Sequence, residues 1–207
     1  MINYGLIASD IDGSEHIYSA PKTLSIPEEY SYKGVLPKVL DQGYDPICVP
    51  CSLSAYLNWR ENIKNGTVKK DNGINLYQIY NSRTTDAEGM SFKDALYFLR
   101  HEGVKSDKGK LSINEYAMVL NIMALRMALI ANGPCIGGLP VRNDTDTFWI
   151  KEEEGSYYGS HAISIVGYNK DGFIIRNSWG RSFGKDGYTF IKNEDFGTFR
   201  EIWTVIS

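Results

Sequence analysis

Three stretches of the chain carry side chains able to do covalent chemistry. Cys48 stands in Asp41-Gln42-Gly43-Tyr44-Asp45-Pro46-Ile47-Cys48-Val49-Pro50-Cys51, His161 in Gly159-Ser160-His161-Ala162, and Asn177 in Arg176-Asn177-Ser178-Trp179-Gly180. A thiol attacks as its thiolate, and a helix N-terminus and a neighbouring imidazolium both stabilise that anion. Cys48 meets the first condition if a helix begins there. His161, at the head of an apolar run, can meet the second. An imidazole that moves protons needs a third group to orient its ring, a role open to the Asn177 carboxamide. Gln42 lies six residues before Cys48. A loop bent at Gly43 and Pro46 would aim its side-chain N–H at a substrate carbonyl. With the Cys48 backbone N–H it would form an oxyanion hole, in which one donor is worth on the order of 3 kcal/mol.

The elements that must position these groups follow from periodicity. Residues 48–62 read as a helix with Pro50 tolerated in its first turn. Val49, Cys51, Leu53, Ala55, Tyr56, Leu57 and Trp59 leave it almost no polar face, so it should be buried. Residues 161–168 read as a buried strand, Asn169-Lys170-Asp171-Gly172 as a hairpin turn, and 173–176 as the returning strand. Pairing Tyr168 with Phe173 would set Asn177 opposite Ser164, so a twist or bulge has to close the gap to His161. Trp179 could then shield the His161–Asn177 bond from water.

Elsewhere, short helices are expected over 74–82 and, behind a Ser91 cap, from 92 to a stop at Gly103. Ser112-Ile113-Asn114-Glu115 reads as a capping box opening a long helix with Tyr116, Val119, Leu120, Met123, Met127 and Ile130 on its apolar face. Asn132-Gly133-Pro134 ends it. Strands follow at 135–141, 188–191 and 202–206. Residues 1–26 carry turn punctuation without a period and should wrap a surface. Residues 142–159 form a polar loop whose acids Glu152 to Glu154 are expected to be solvated. Helices first and antiparallel strands second make an α+β protein with two segregated lobes. The 207 residues fit one catalytic domain, with a helical lobe over roughly 36–133 and a β lobe over roughly 1–35 and 134–207.

Bulk properties narrow the partners. A net charge of -3 without any Lys/Arg block argues against nucleic acid. No stretch approaches the ~18 apolar residues of a membrane span. The start has neither the basic n-region nor the apolar run of a signal peptide. Three cysteines are too few, and odd in number, for a disulfide framework, so a cytoplasmic or otherwise intracellular setting is expected. The Cys48–Cys51 spacing invites zinc or redox chemistry, but no second ligand pair follows at finger spacing. Cys51, a turn inside the helix, reads as a buried small hydrophobe. Cys135 reads as structural, and His16 and His101 as surface residues. No metal or cofactor is expected.

Taken together, 41–54, 159–168 and Asn177-Ser178-Trp179-Gly180 resemble papain-like cysteine peptidases, most closely the bacterial, archaeal and phage members without a plant-type pro-region. The likeness covers nearly the whole chain, more loosely over 5–18. It implies a two-lobed fold with the active site in the cleft, and a cysteine endopeptidase acting on peptides or proteins as a monomer. It implies Cys48 as nucleophile, His161 as general base and acid, Asn177 as orienter, Gln42 as oxyanion donor and Trp179 as shield. It further implies Gly89 as the glycine whose backbone pairs with substrate, and Met90, Ser91 and Ala162 as walls of the main specificity pocket. Val49 replaces the aromatic that usually follows the nucleophile. Asp45 stands where a disulfide cysteine is usual. His161 and Asn177 follow Cys48 by 113 and 129 residues, short of the family's roughly 130–150, so trimmed loops are expected. No pro-segment is expected in the short stretch 1–26. An acyl transferase, deamidase or cell-wall amidase would share the acyl-enzyme, and a non-catalytic binding module is the remaining alternative.

Overall fold

A computed structural model describes residues 4–19, 21, 24–151 and 156–206. The acids Glu152 to Glu154 lie outside the described residues. The first long element is α1 (Cys48–Lys64), apolar on nearly every side and buried from Cys48 to Asn58. It passes between the helical layer, α2 (Leu76–Tyr80) and α3 (Phe92–His101), and the sheet. In α3 the buried residues Phe92, Ala95, Leu96 and Leu99 recur at helical spacing. Its start is fixed by Ser91, whose side chain accepts from the Asp94 N–H.

Seven antiparallel strands form the main sheet among the described residues. They are β1 (Tyr30–Ser31), β4 (Glu115–Met118), β5 (Cys135–Val141), β6 (Gly159–Tyr168), β7 (Gly172–Arg176), β8 (Tyr188–Lys192) and β9 (Glu201–Ile206). The order is β4-β9-β5-β6-β7-β8, with β1 paired to β6, and a small hairpin of β2 (Val104–Ser106) and β3 (Gly109–Leu111) stands apart. Alternation along the strands sends Ile136, Ala162 and Trp203 to the α1 side. Leu139, Ile163, Ile165 and Ile202 face the opposite side. Burying a side chain of this size contributes roughly 1.5–3 kcal/mol. The Ser164 hydroxyl donates to the Ser52 carbonyl at 2.8 Å and pins α1 to β6.

The long helix expected from Ser112 is not formed. Glu115–Met118 is instead β4, paired with Ile206 to Trp203 of β9, and the helix α4 begins only at Ile122. Its cap is Asn121, whose side chain accepts from the Ala124 N–H. The open edge of β9 and the burial of Ala117 outweigh the local capping pattern, and Leu120 and Met123 are left 58% and 51% exposed. Leu125, Ala128 and Leu129 of α4 pack on the face of the sheet away from α1. β4 is thus an edge strand of the main sheet, and α4 packs on that sheet rather than on α2 or α3.

Candidate active site

The loop before α1 is built by its own hydrogen bonds. Gly43 N–H donates to Asp41 Oδ1 at 3.0 Å, and Asp45 N–H to the Gln42 carbonyl at 3.1 Å. Gln42 is stitched to the distant Asn177 segment. Its N–H donates to the Ser178 carbonyl at 2.8 Å, and its Oε1 accepts from Ser178 Oγ at 2.6 Å. That leaves Nε2 as the outward group, donating to the Asp45 carbonyl at 2.8 Å with a second N–H to spare. The Tyr77 hydroxyl donates to the Asp45 carboxylate and ties the loop to α2. Cys48 is the first residue of α1. The cap position, Ile47, offers no side-chain acceptor, so first-turn amides are free to face an anion.

His161 opens onto the same place from the sheet. Tyr168 pairs with Phe173 and Gly167 with Ile174, but the register then slips at a bulge, so that Ile165 meets Ile175 and Ser164 meets Arg176. The slip carries Asn177 one residue closer to His161, and His161 Nε2 lies 2.7 Å from Asn177 Oδ1. That oxygen also accepts the Ser178 N–H at 2.7 Å. An oxygen accepting there can only accept from the imidazole, so His161 donates through Nε2 and Nδ1 keeps its lone pair. Nδ1 is buried with no hydrogen-bond partner among the described residues. Trp179 stacks on the imidazole at 4.5 Å and 30°. Phe148 and Phe183 close round Trp179 at 5.0 and 5.1 Å. The Cys48 thiol lies against the backbone of Ala162, the residue after His161. Imidazole and carboxamide are thus paired, the Cys48 thiol lies beside the residue that follows His161, and Gln42 joins the loop before α1 to Ser178.

Cys48 and His161 are both 0% exposed. The cause is the chain's own beginning. Residues 4–9 were expected to wrap a surface; they run through the cleft instead. The Leu6 N–H donates to the Ser160 carbonyl at 3.2 Å, the Met90 N–H to the Gly5 carbonyl at 2.8 Å, and the Ile7 N–H to the Met90 carbonyl at 3.1 Å. The bridge between Leu6 and Met90 is parallel. Gly5 crosses so close to Pro46 that a β-carbon would collide with the Pro46 carbonyl. Gly89 has φ +113°, and a β-carbon there would sit 2.6 Å from the Gly5 oxygen. The backbone pairing is made by Met90, while the Gly89 N–H turns to the Tyr80 hydroxyl. The Leu6 side chain is buried against Gly138 and Phe92. Ser9 N–H reaches the buried Glu201 carboxylate at 3.0 Å.

Burial sets the electrostatics of this covered state. It pushes the Cys48 thiol up to about 11, against the opposing pull of backbone groups of Ala162 and Gly5. It pushes His161 down to about 4, the Asn177 bond acting the other way. Both groups are neutral near pH 7. Cys51 sits a turn further in, its thiol pushed up by burial, and Cys135 is pushed up to about 12 for the same reason. All three cysteines are free. His16 and His101 are exposed. The described residues contain no group of three or more His, Cys, Asp or Glu side chains able to hold a metal, and no helix long and apolar enough to cross a membrane.

Met90 and Ala162 are buried against the strap, and Ser91 is spent on capping α3. Residues missed from the sequence are Gly5, Leu6, Phe148, Gly138 and Glu201. The glycine pair Gly137-Gly138 inside an apolar strand was the available signal, since such glycines mark a close approach by another backbone or ligand. Nothing in the run Tyr4-Gly5-Leu6 distinguishes it locally.

Residues 58–201 match the family model described as papain family cysteine protease. The match contains His161, Asn177 and Trp179; Gln42 and Cys48 lie upstream of it. Procathepsin L of Felis catus is 26% identical over 212 residues, which cover 83% of this chain and 62% of that protein. Macrodontain-1 of Ananas macrodontes is 33% identical over 75 residues, 33% of this chain and 34% of that one. The chain therefore spans less than two thirds of the length of these curated relatives. Xylellain, a cysteine protease from Xylella fastidiosa, superposes with a TM-score of 0.83 at 21% identity, over 100% of this chain and 96% of the other. That likeness shows a shared fold.

Proposed function

This chain belongs to the papain family of cysteine proteases, and on that premise we propose that it is an endopeptidase in which Cys48, His161, Asn177 and Gln42 carry the reaction. With the cleft open, the thiol proton passes to His161 Nδ1, the free lone pair. The thiolate attacks the peptide carbonyl carbon, and the oxygen's new charge is met by Gln42 Nε2–H and the Cys48 backbone N–H. His161 Nδ1–H then protonates the leaving amine, and the acyl group stays on sulfur as a thioester. A water, its proton taken by Nδ1, attacks the thioester. The acid leaves and the thiol is restored. Asn177 acts by holding the ring so that Nδ1, not Nε2, faces the sulfur, and Trp179 keeps water from that bond.

The observation that carries the reading is the occupant of the cleft. An extended stretch of polypeptide, 5–7, lies over the Cys48 thiol and is hydrogen-bonded to Met90 and Ser160 through backbone groups alone. A cleft that takes one peptide backbone in this way suits another. The test is labelling by a thiol-directed epoxide together with turnover of a peptide library. Cys48→Ala is expected to abolish both while Cys51→Ala keeps both. Retention of labelling and turnover in Cys48→Ala would overturn the assignment, and products carrying an amine nucleophile in place of water would mark a transferase.

A further inference from the structure

We infer that the end of the helical layer away from the cleft is a docking surface for an anionic lipid bilayer. No single run of the sequence is basic; folding gathers six lysines from three segments. Lys64 closes α1, Lys69 and Lys70 stand in the loop after it, and Lys105, Lys108 and Lys110 belong to the β2–β3 hairpin. Lys64 is at the opposite end of α1 from Cys48, about 24 Å away along a helix of 17 residues. The loop and the hairpin meet where the Asp107 N–H donates to the Asn72 carbonyl at 2.9 Å. Gly73 comes so near that a β-carbon there would sit 2.2 Å from Asp107 Oδ1. All six lysines are exposed, and none takes part in an ion pair among the described residues. The exposed acids between them are Asp71, Glu102 and Asp107. The surface is therefore net positive on a chain whose net charge is -3. Charge segregated in this way attracts a partner of the opposite sign.

The surface is held in shape against local cost. Asn58, Asn62 and Asn72 are buried under the loop. The Asn72 N–H donates to Asn58 Oδ1 at 2.8 Å, Asn62 Nδ2 to the Lys70 carbonyl at 3.0 Å, and the Thr67 N–H to the Asn62 carbonyl at 2.8 Å. Three buried carboxamides thus fix where Lys69 and Lys70 stand. Lys69 itself has φ +56°, a left-handed backbone that a lysine rarely adopts. On the hairpin, Lys105 pairs directly with Lys110, while Val104 and Leu111 beside them turn inward. Like charges directly opposite each other destabilise a strand pair. An anionic surface laid against the hairpin converts that repulsion into attraction for both lysines.

The residues among the lysines select lipid from other polyanions. Ile63 and Val68 are 63% and 68% exposed, each next in sequence to one of the lysines. The Lys69 N–H donates to the carbonyl of Val35, another exposed aliphatic, at 2.9 Å. Aliphatic tips set among lysines suit a bilayer boundary, with the ammonium groups at the headgroups and the tips reaching toward the acyl chains. Segments 63–73 and 104–111 contain neither arginine nor an aromatic residue. The arginine forks that clasp phosphates and the rings that stack on bases are therefore missing from both, so nucleic acid fits this surface poorly.

The test is co-sedimentation of the full chain with vesicles, either of phosphatidylcholine alone or of phosphatidylcholine and phosphatidylglycerol in equal parts. At about 0.1 M salt the chain should partition to the anionic vesicles at least about tenfold better than to the neutral ones, and about 0.5 M salt should release it. Lys69→Glu combined with Lys108→Glu should weaken partitioning by about tenfold or more. Val68→Asp should weaken it severalfold with every lysine in place. Lys170→Glu, at an exposed lysine of the β6–β7 turn, should leave it within about twofold of the parent. All of these side chains are exposed, and an unchanged Tm verifies that each variant folds. Equal partitioning to both vesicle types, partitioning to neither, or a double variant that matches the parent would overturn the lipid surface. So would salt-sensitive retention on heparin without vesicle binding, which would mark a soluble polyanion as the partner. A chain that sediments with anionic vesicles but cleaves no peptide leaves the surface standing and removes the peptidase reading. One that cleaves soluble peptides but never sediments does the reverse.

Discussion

Asn177 holds the His161 ring through one oxygen. Because Oδ1 already accepts from the Ser178 N–H, it can accept but not donate toward His161. Asn177→Ala removes that partner and frees the ring to turn. A buried donor left unpaired costs roughly 1–3 kcal/mol, so kcat should fall by about 10–100-fold with KM changed far less, measured on any peptide the parent cleaves. Equal changes in KM and kcat would mean that Asn177 supports the cleft rather than the ring. The covered imidazole also makes stability depend on pH. Its unfolded pKa is about 6.5 and its folded one about 4, so on acidification the unfolded chain takes up the proton first. Stability from this residue is whole above pH ~6.5 and declines as pH falls toward ~4, by on the order of 3 kcal/mol. Cys48 mirrors it at the alkaline end, with stability declining as pH rises from about 9 to about 11. Urea titrations across pH 4–7.5 in the parent and in Gly5→Val measure the acid limb. The slope should flatten in the variant, where water reaches His161.

At the scale of the elements, the hairpin that carries His161 and Asn177 is legible in the sequence down to the need for a bulge. The run from Gly159 to Tyr168, the turn Asn169 to Gly172 and the return to Arg176 have the alternation and turn residues of a tight antiparallel pair. The slip between Ile165 and Gly167 is what a count of positions demanded. The misreading at Ser112 has a physical origin. Ser112-Ile113-Asn114-Glu115 satisfies the local rule for a helix start, but Tyr116 and Met118 pair with the far end of the chain, and no local pattern reports on β9. Capping itself is sound where tertiary structure agrees with it. Ser91→Ala should cost about 1 kcal/mol, seen as a lower urea midpoint with an unchanged m-value. No change in midpoint would mean that burial of Phe92 and Leu96 sets the helix start unaided.

On the scale of the whole molecule, the two lobes are joined by a few buried polar ties between distant segments. Arg176 donates from Nη1 to the Pro37 carbonyl and the Tyr188 hydroxyl, both at 2.9 Å, and from Nη2 to the Lys38 carbonyl at 2.8 Å. Arg176→Met keeps much of the volume and strands those oxygens. A loss of about 3 kcal/mol is expected, or roughly 6–12 °C in Tm for a chain of this size. A Tm within about 2 °C of the parent would show that water replaces the guanidinium. The whole-molecule feature least legible from the sequence is the strap. Tyr4, Gly5 and Leu6 have no period, charge or motif, and their meaning comes only from Met90, Gly138 and Pro46, which folding brings to them. The two-lobed plan and the pairing of His161 with Asn177 were legible because chemistry constrains residue types there. An occupant held by its backbone imposes almost no such constraint.

The Asp45–Tyr77 bond, which fastens the loop before Cys48 to α2, has a consequence for handling the protein. Reductant keeps a thiol active and weakens a disulfide clamp, and a loop secured by sulfur has to reconcile the two. Here the clamp is phenol to carboxylate and insensitive to redox. Dithiothreitol strong enough to keep Cys48 reduced should leave the thermal midpoint where it was. Strong alkali, which ionises the phenol and sets it against Asp45, is the condition that loosens the loop.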